Sequence, residues 1–177
     1  MNMKNLLRDK TSLKEDIELL LNAQAKMEAE ASSKYLAMAS WLERNGFENS
    51  AGYLYDQAEE EREHFLKIFK YINEVGGNAV TPATGEVQQE FVDLKDVFEA
   101  ALQSEIAVTN SINKLVGQCR ANNDYATEEF LMWYVKEQRE EEKNARRALE
   151  LFNLIDANST NGLFLLDKEI AKIRGNE

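Results

Sequence analysis

The chain has 177 residues, of which 44% are hydrophobic and 30% charged, and its formal net charge is −11. That length suits one domain with a substantial core, while the acidic balance argues against a nucleic-acid footprint, which needs a basic stripe. A single cysteine, Cys119, rules out an intrachain disulfide and a cysteine-based metal knuckle. It fits a reducing cytoplasm, with the thiol serving as a small packed hydrophobe. Residues 1–10 carry no apolar run of the signal-peptide kind, and no stretch approaches a transmembrane span.

One proline and eight glycines leave long uninterrupted segments, and these read as helices. Ser12-Leu13-Lys14-Glu15 has the form of a capping box opening a first helix that runs to about Arg44 and stops at Asn45-Gly46. Asn49 or Ser50 is placed to cap a second helix, which reaches Val75 and ends at Gly76-Gly77. Asp93 opens a third, ending near Ala121 at Asn122-Asn123. Asp124 caps a fourth, ending near Asn153. A short fifth helix follows Asn161-Gly162, with Leu163, Leu166, Ile170 and Ile173 on one face. The expected architecture is an all-α four-helix bundle over about 12–153 with a short C-terminal helix over about 160–174, the whole chain being one domain.

The connections predict the topology. The first and third joints are short, so the helices they join are antiparallel neighbours. The middle segment, Gly77 to Val92, spans about 53 Å when extended at roughly 3.3 Å per residue. The second helix is about 39 Å long at roughly 1.5 Å per residue. The segment can therefore cross the whole bundle and make the second and third helices parallel. The fifth helix carries an apolar face that the bundle is not expected to cover, and burial against another subunit is the expected outcome.

Steps of seven residues expose an anomaly in each of the four long helices. The stripes read Leu21, Glu28, Tyr35, Leu42; Leu54, Glu61, Ile68, Val75; Phe98, Glu105, Ile112, Cys119; and Leu131, Gln138, Ala145, Phe152. Each is apolar except at one position. Glu28 and Glu61 stand 33 positions apart, as do Glu105 and Gln138. A second polar group follows one turn later in each half: His64 after Glu61, and Glu141 after Gln138. Any one of these is ordinarily a boundary residue with its head in water. Four at matched separations describe a ring of buried carboxylates, which needs a compensating cation.

Hard carboxylate oxygens together with an imidazole suit iron. Di-iron bundles take a Glu-x-x-His from each of two helices and a lone glutamate from each of the other two. Here the second unit reads Gln138-x-x-Glu141, a weaker set that should hold its metal loosely. Tyr35 and Trp133 are read first as core aromatics. Glu60, Glu137 and Glu140, in acidic runs that are ordinarily solvated, are candidates for a secondary cation site.

Three further stretches carry a resemblance: Leu21-Asn22-Ala23-Gln24 through Glu28 to Tyr35-Leu36; Gln57 to His64; and Phe130 to Glu142. With the tail Gly162 to Glu169, they resemble the bacterial non-haem ferritins over nearly everything after the first ten or so residues. The resemblance implies a ferritin-like fold and a ferroxidase centre that uses O2 or H2O2 to oxidise ferrous ion, with mineral stored in a cage of about two dozen subunits. It implies metal site A from Glu28, Glu61 and His64, and site B from Glu61, Glu105 and Glu141, with Glu61 bridging. Gln138 lies against the pair as a hydrogen-bonding or oxygen-facing group, and Tyr35 lies beside it. Glu60, Glu137, Glu140 and Glu141 match the accessory iron site of some members. Arg62 stands where bacterioferritins carry their haem-ligating methionine, so no haem is expected. The competing expectations are a di-iron peroxidase of the rubrerythrin kind or an oxygenase, disfavoured by the lone cysteine and the missing second Glu-x-x-His, and a metal-free structural bundle.

Overall fold

The computed structural model describes residues 11–173. The segment 1–10, read above for a leader, and position 174, given as the end of the fifth helix, lie outside the described residues. Five helices and no strands occur among the described residues: α1 (Glu15–Arg44), α2 (Glu48–Glu74), α3 (Leu94–Ala121), α4 (Tyr125–Leu154) and α5 (Thr160–Ile170). Gly46 and Gly76, just past the ends of α1 and α2, adopt φ of +83° and +86°, the left-handed conformation that glycine takes without penalty. Both stops were legible from the sequence.

α1 packs along α2 and α3 along α4, while α1 also meets α3. The long connection runs the length of the bundle, as expected. Near its start the Asn22 side chain bonds the backbone of Asn78 and Val80, and near its end Arg44 bonds Gln89 and Glu90. Asn22 and Arg44 lie towards opposite ends of α1, so the strap spans that helix and returns the chain for α3.

The apolar stripes are buried as read, and Val75 and Phe152 alone among the sixteen stripe positions are only partly covered. They do not make one continuous core. One cluster gathers Tyr35, Leu42, Leu54, Phe98 and Leu151 at the end where α5 docks; a second gathers Ile17, Leu21, Ile68, Ile112 and Leu131 at the other. Between them lies a layer of buried polar side chains that includes Gln24, Glu28, Gln57, Glu61, His64, Glu105, Gln138 and Glu141.

Three expectations about helix ends need correction. No capping box forms at Ser12: α1 starts after Lys14 without a side-chain cap, and Thr11 takes up the local polar work, accepting from Leu13 N and donating to the Val75 carbonyl. Asn49 and Ser50 do not cap α2, which begins at Glu48. Their backbone N–H groups instead donate to the carboxylate of Asp167, brought in from α5. Asn161-Gly162 does not precede α5 but sits in its first turn, behind the Ser159 cap. Gly162 is there for space, since an added Cβ would fall 1.8 Å from the Asp156 carbonyl oxygen.

The apolar face of α5 is likewise covered within the subunit. Leu166 and Ile170 are fully buried, and Leu163 and Ile173 pack against the adjoining core cluster. What α5 exposes is Phe164 and Leu165. Asp167 is therefore a long-range cap tying α5 to the start of α2, next to the helix's partial positive charge. Asp167→Ala should cost about 0.5–2 kcal/mol, read as a lowered thermal midpoint with faster amide exchange at Asn49 and Ser50.

Candidate metal centre

All four long helices contribute to the polar layer: Glu28 from α1, Glu61 and His64 from α2, Glu105 from α3, Gln138 and Glu141 from α4. Helical spacing puts Glu61 and His64 on one face a turn apart. His64 Nδ1 lies 3.5 Å from Glu61 Oε2. One ligand atom each from Glu28, Glu61 and His64 fall within 4.8 Å of one another, and all three residues are buried. Glu28 Oε2, Glu61 Oε2 and His64 Nδ1 also have no hydrogen-bond partner, although buried polar atoms are nearly always paired. Three such acceptors facing one point fit a bound cation.

The other carboxylate oxygens are held by neighbours. Gln24 Nε2 donates to Glu28 Oε1 at 2.8 Å, one turn away on α1. Gln57 Nε2 donates to Glu61 Oε1 at 3.3 Å and to Glu141 Oε2 at 2.9 Å, so one amide links α2 with α4. The Tyr35 hydroxyl donates to Glu105 Oε1, and Gln138 Nε2 donates to Glu105 Oε2 at 3.0 Å. Glu105 and Glu141, with Tyr35 and Gln57, line a small cavity of about 10 Å³, roughly one water-sized sphere.

Not every candidate from the sequence takes the place read for it. Glu105 and Glu141, expected with Glu61 in the second site, fall outside the compact group of three. Gln138 turns its amide nitrogen to Glu105, so the hydrogen-bonding part of its expected role describes its position. Glu60, Glu137 and Glu140 are partly buried and do not join that group, while Glu60 and Glu137 line an open pocket beside His64. Trp133, read as a core aromatic, is 37% exposed and meets the His64 ring edge to face, with a centroid separation of 5.3 Å. Gln24 and Gln57 were missed altogether. Their signal was available, since each lies four residues before a ligand candidate on the same helical face.

The electrostatics are those of a site lacking countercharge. Burial, with the Glu61 charge next, holds the Glu28 carboxyl well above its ordinary range. Burial and Glu61 together push Glu105 up to about 7 despite the Tyr35 and Gln138 hydrogen bonds. Burial and the surrounding carboxylates keep the Tyr35 phenol protonated, consistent with its role as a donor. For His64, burial opposes protonation, but Glu61, Glu141 and Glu137 outweigh it and the imidazole pKa rises. Away from the site, burial pushes the Cys119 thiol up to about 12, as befits an inert packed residue.

For Glu28 and Glu105 the folded pKa lies above the unfolded one. Folding is thus favoured where both are protonated, and the Glu105 contribution is lost as pH rises from about 4.5 through about 7, with the Glu28 contribution lost in the same direction. The metal-free protein should lose stability across that window. Glu28→Gln keeps the bond from Gln24 and removes a buried titratable group. It should flatten this part of the pH profile, as measured by denaturant unfolding at several pH values in the presence of a chelator.

The sequence and fold have counterparts among known proteins. The ferritin-like domain family model matches residues 18–155. A probable bacterial non-heme ferritin-like protein of Haemophilus influenzae is 39% identical, over 91% of this chain and 97% of its own. A bacterial non-heme ferritin of Campylobacter jejuni is 37% identical over 91% of this chain and 96% of its own. Among solved structures, an open pore ferritin from the archaeon Archaeoglobus fulgidus superposes with a TM-score of 0.87 at 34% identity, covering 90% of this chain and 97% of that one. Bundle, polar layer and sequence agree, and the chain belongs to the ferritin family.

Proposed function

We propose that this protein stores iron in the cytoplasm, oxidising ferrous ion at a two-iron centre within each subunit and holding the ferric product inside a cage of about two dozen copies. The observation that carries the reading is the buried group of Glu28, Glu61 and His64, whose ligand atoms lie within 4.8 Å of one another and in which Glu28 Oε2, Glu61 Oε2 and His64 Nδ1 have no hydrogen-bond partner. These are two hard oxygens and a borderline nitrogen, a donor set suited to ferrous ion. Glu61 faces both this group and the Glu105–Glu141 side, and it is the bridging residue between the first ion and a second held by Glu105 and Glu141.

Iron is the substrate. Two ferrous ions give one electron each to dioxygen, which takes two protons and leaves as hydrogen peroxide; hydrolysis of the two ferric ions releases the protons that balance the charge. With hydrogen peroxide as oxidant, the two electrons cleave the O–O bond and water results. The chain supplies negative charge, geometry and a site enclosed between two apolar clusters. Tyr35 and Gln138 hold Glu105, Gln24 holds Glu28, and Gln57 holds Glu61 and Glu141. Glu60, Glu137 and Glu140 form the accessory cation site toward which oxidised iron moves. Arg62 follows Glu61 and faces solvent, offering no thioether to a haem. Phe164, Leu165, Leu19 and Val92, exposed on the isolated subunit, support assembly.

Glu28→Ala, His64→Ala and Glu105→Ala should each slow rapid ferrous oxidation by more than the roughly 10–100-fold typical of losing an outer-shell partner, with helical content retained. Stopped-flow absorbance reads the rate. Electron microscopy after aerobic loading reads cage and mineral. Wild-type kinetics in all three variants would remove the centre, and a small species without mineral would return the peroxidase or oxygenase reading.

A further inference from the structure

Metal-bound histidines are normally oriented by a hydrogen bond from the ring's other nitrogen to a carboxylate or carbonyl. At His64, Nδ1 is buried, lies 3.5 Å from Glu61 Oε2 and has no hydrogen-bond partner. Rotating the ring by half a turn would replace Nδ1 with a carbon and dismantle the group of three, so the ring's orientation has to be held.

Aromatic rings on α4 pack against it. Trp133 meets His64 at an interplanar angle of 80° and Tyr134 meets it at 77°, with centroids 5.3 and 6.0 Å away. Trp133 and Tyr134 pack on each other at 4.8 Å and 85°, which closes a triangle of three mutually perpendicular rings. Tyr134 is fully buried and its hydroxyl donates to the His64 carbonyl at 2.8 Å, so that corner is anchored. Trp133 is on the solvent side, where its own packing is incomplete. There Lys67, one turn beyond His64 on α2, places its ammonium 4.0 Å over the indole. Lys67, Trp133 and His64 line the same open pocket of about 630 Å³.

We propose that Trp133, pinned from outside by Lys67, is a positioning residue for this centre: it holds the His64 ring in the orientation that presents Nδ1 to Glu28 and Glu61. The inference rests on the reading of Glu28, Glu61 and His64 as metal ligands. It assigns Lys67 a role that its place in an acid-lined mouth would not suggest, since a cation there opposes cation entry.

The test uses Co2+, which is redox-inert here and whose visible d–d bands report ligand geometry. The assembled full-length protein is titrated as wild type, W133F, W133L, K67M and H64A. Trp133→Phe keeps an aromatic edge against His64 and should stay close to wild type. Trp133→Leu should weaken Co2+ binding about 10–100-fold and change the d–d spectrum. Lys67→Met keeps the indole but frees it, and should weaken binding about 2–5-fold, the size of an exposed cation–π contact. Wild-type affinity and spectrum in W133L would overturn the proposal, as would an equal loss in W133F and W133L. If W133L does not assemble, K67M decides: wild-type affinity and spectrum there would overturn the pinning by Lys67. H64A separates the two levels of inference. If H64A binds Co2+ like wild type, the assignment of the centre itself fails. If H64A loses the site while W133L keeps it, only the positioning role fails.

Discussion

Mutual repulsion among buried carboxylates is the constraint on which the rest of this structure depends. Glu28, Glu61, Glu105 and Glu141 lie in one layer of a bundle whose core is otherwise apolar. Like charges at such range in a poorly solvated site cannot all stay ionised without a cation. Helix packing supplies the force that holds them together, from the apolar clusters above and below the layer. The polar layer is thus a local cost within a fold stabilised elsewhere, and the raised carboxyl pKa values of Glu28 and Glu105 reflect that cost.

The neighbours of the carboxylates make the layer asymmetric. On the His64 side, each of the three converging atoms is unpartnered, while the second oxygen of Glu28 and of Glu61 is fixed by an amide one turn earlier on its own helix. A ligand oxygen held on one side and bare on the other is aimed. On the Glu105 side both carboxylate oxygens already accept hydrogen bonds, from Tyr35 and from Gln138, and Glu141 accepts from Gln57. The α2–α4 seam follows a related pattern. These two helices meet through large and polar side chains, including the Tyr71–Phe130 stack and the Tyr71–Thr127 and Tyr134–His64 hydrogen bonds, and a pocket beside His64 opens there.

Much of this was legible because heptad spacing converts a buried stripe into a countable pattern. An acid interrupting Leu21–Tyr35–Leu42 must either face water or join other polar groups inside, and four interruptions, with the same spacing within each half, decide between the two. The crossover was legible from length alone, since a segment long enough to traverse the bundle was placed between two hairpins. The misses have a common cause. The sequence signals for helix starts are local, whereas the bonds that form are not: Asp167 reaches Asn49 and Ser50 from more than a hundred residues away, and Thr11 reaches Val75. Gln24 and Gln57, each one turn before a ligand candidate on its own helix, were legible by spacing, whereas the reach of Gln57 to Glu141 needed α4 in place. The apolar face of α5 looked uncovered because periodicity gives a face without saying which surface is near, and the end of the bundle was near enough to bury Leu166 and Ile170.

The asymmetry bears on what kind of metal site this is. On the ferritin reading, an ion bound by Glu28, Glu61 and His64 meets donors that give up no hydrogen bond on binding. A second ion on the Glu105–Glu141 side competes with Tyr35, Gln138 and Gln57 for the same lone pairs, so part of each coordination bond is offset by the donor it displaces or shares. Gln138 offers no charge and Glu141 stands where a di-iron enzyme would place its second histidine. On that reading a second ion would be held less firmly than the first. A resident cofactor would call for the opposite arrangement, with both ions enclosed by saturated ligand sets. Such an unequal grip would suit a substrate that enters as a pair, changes charge and departs, and Glu60 and Glu137, partly buried, line the pocket beside His64.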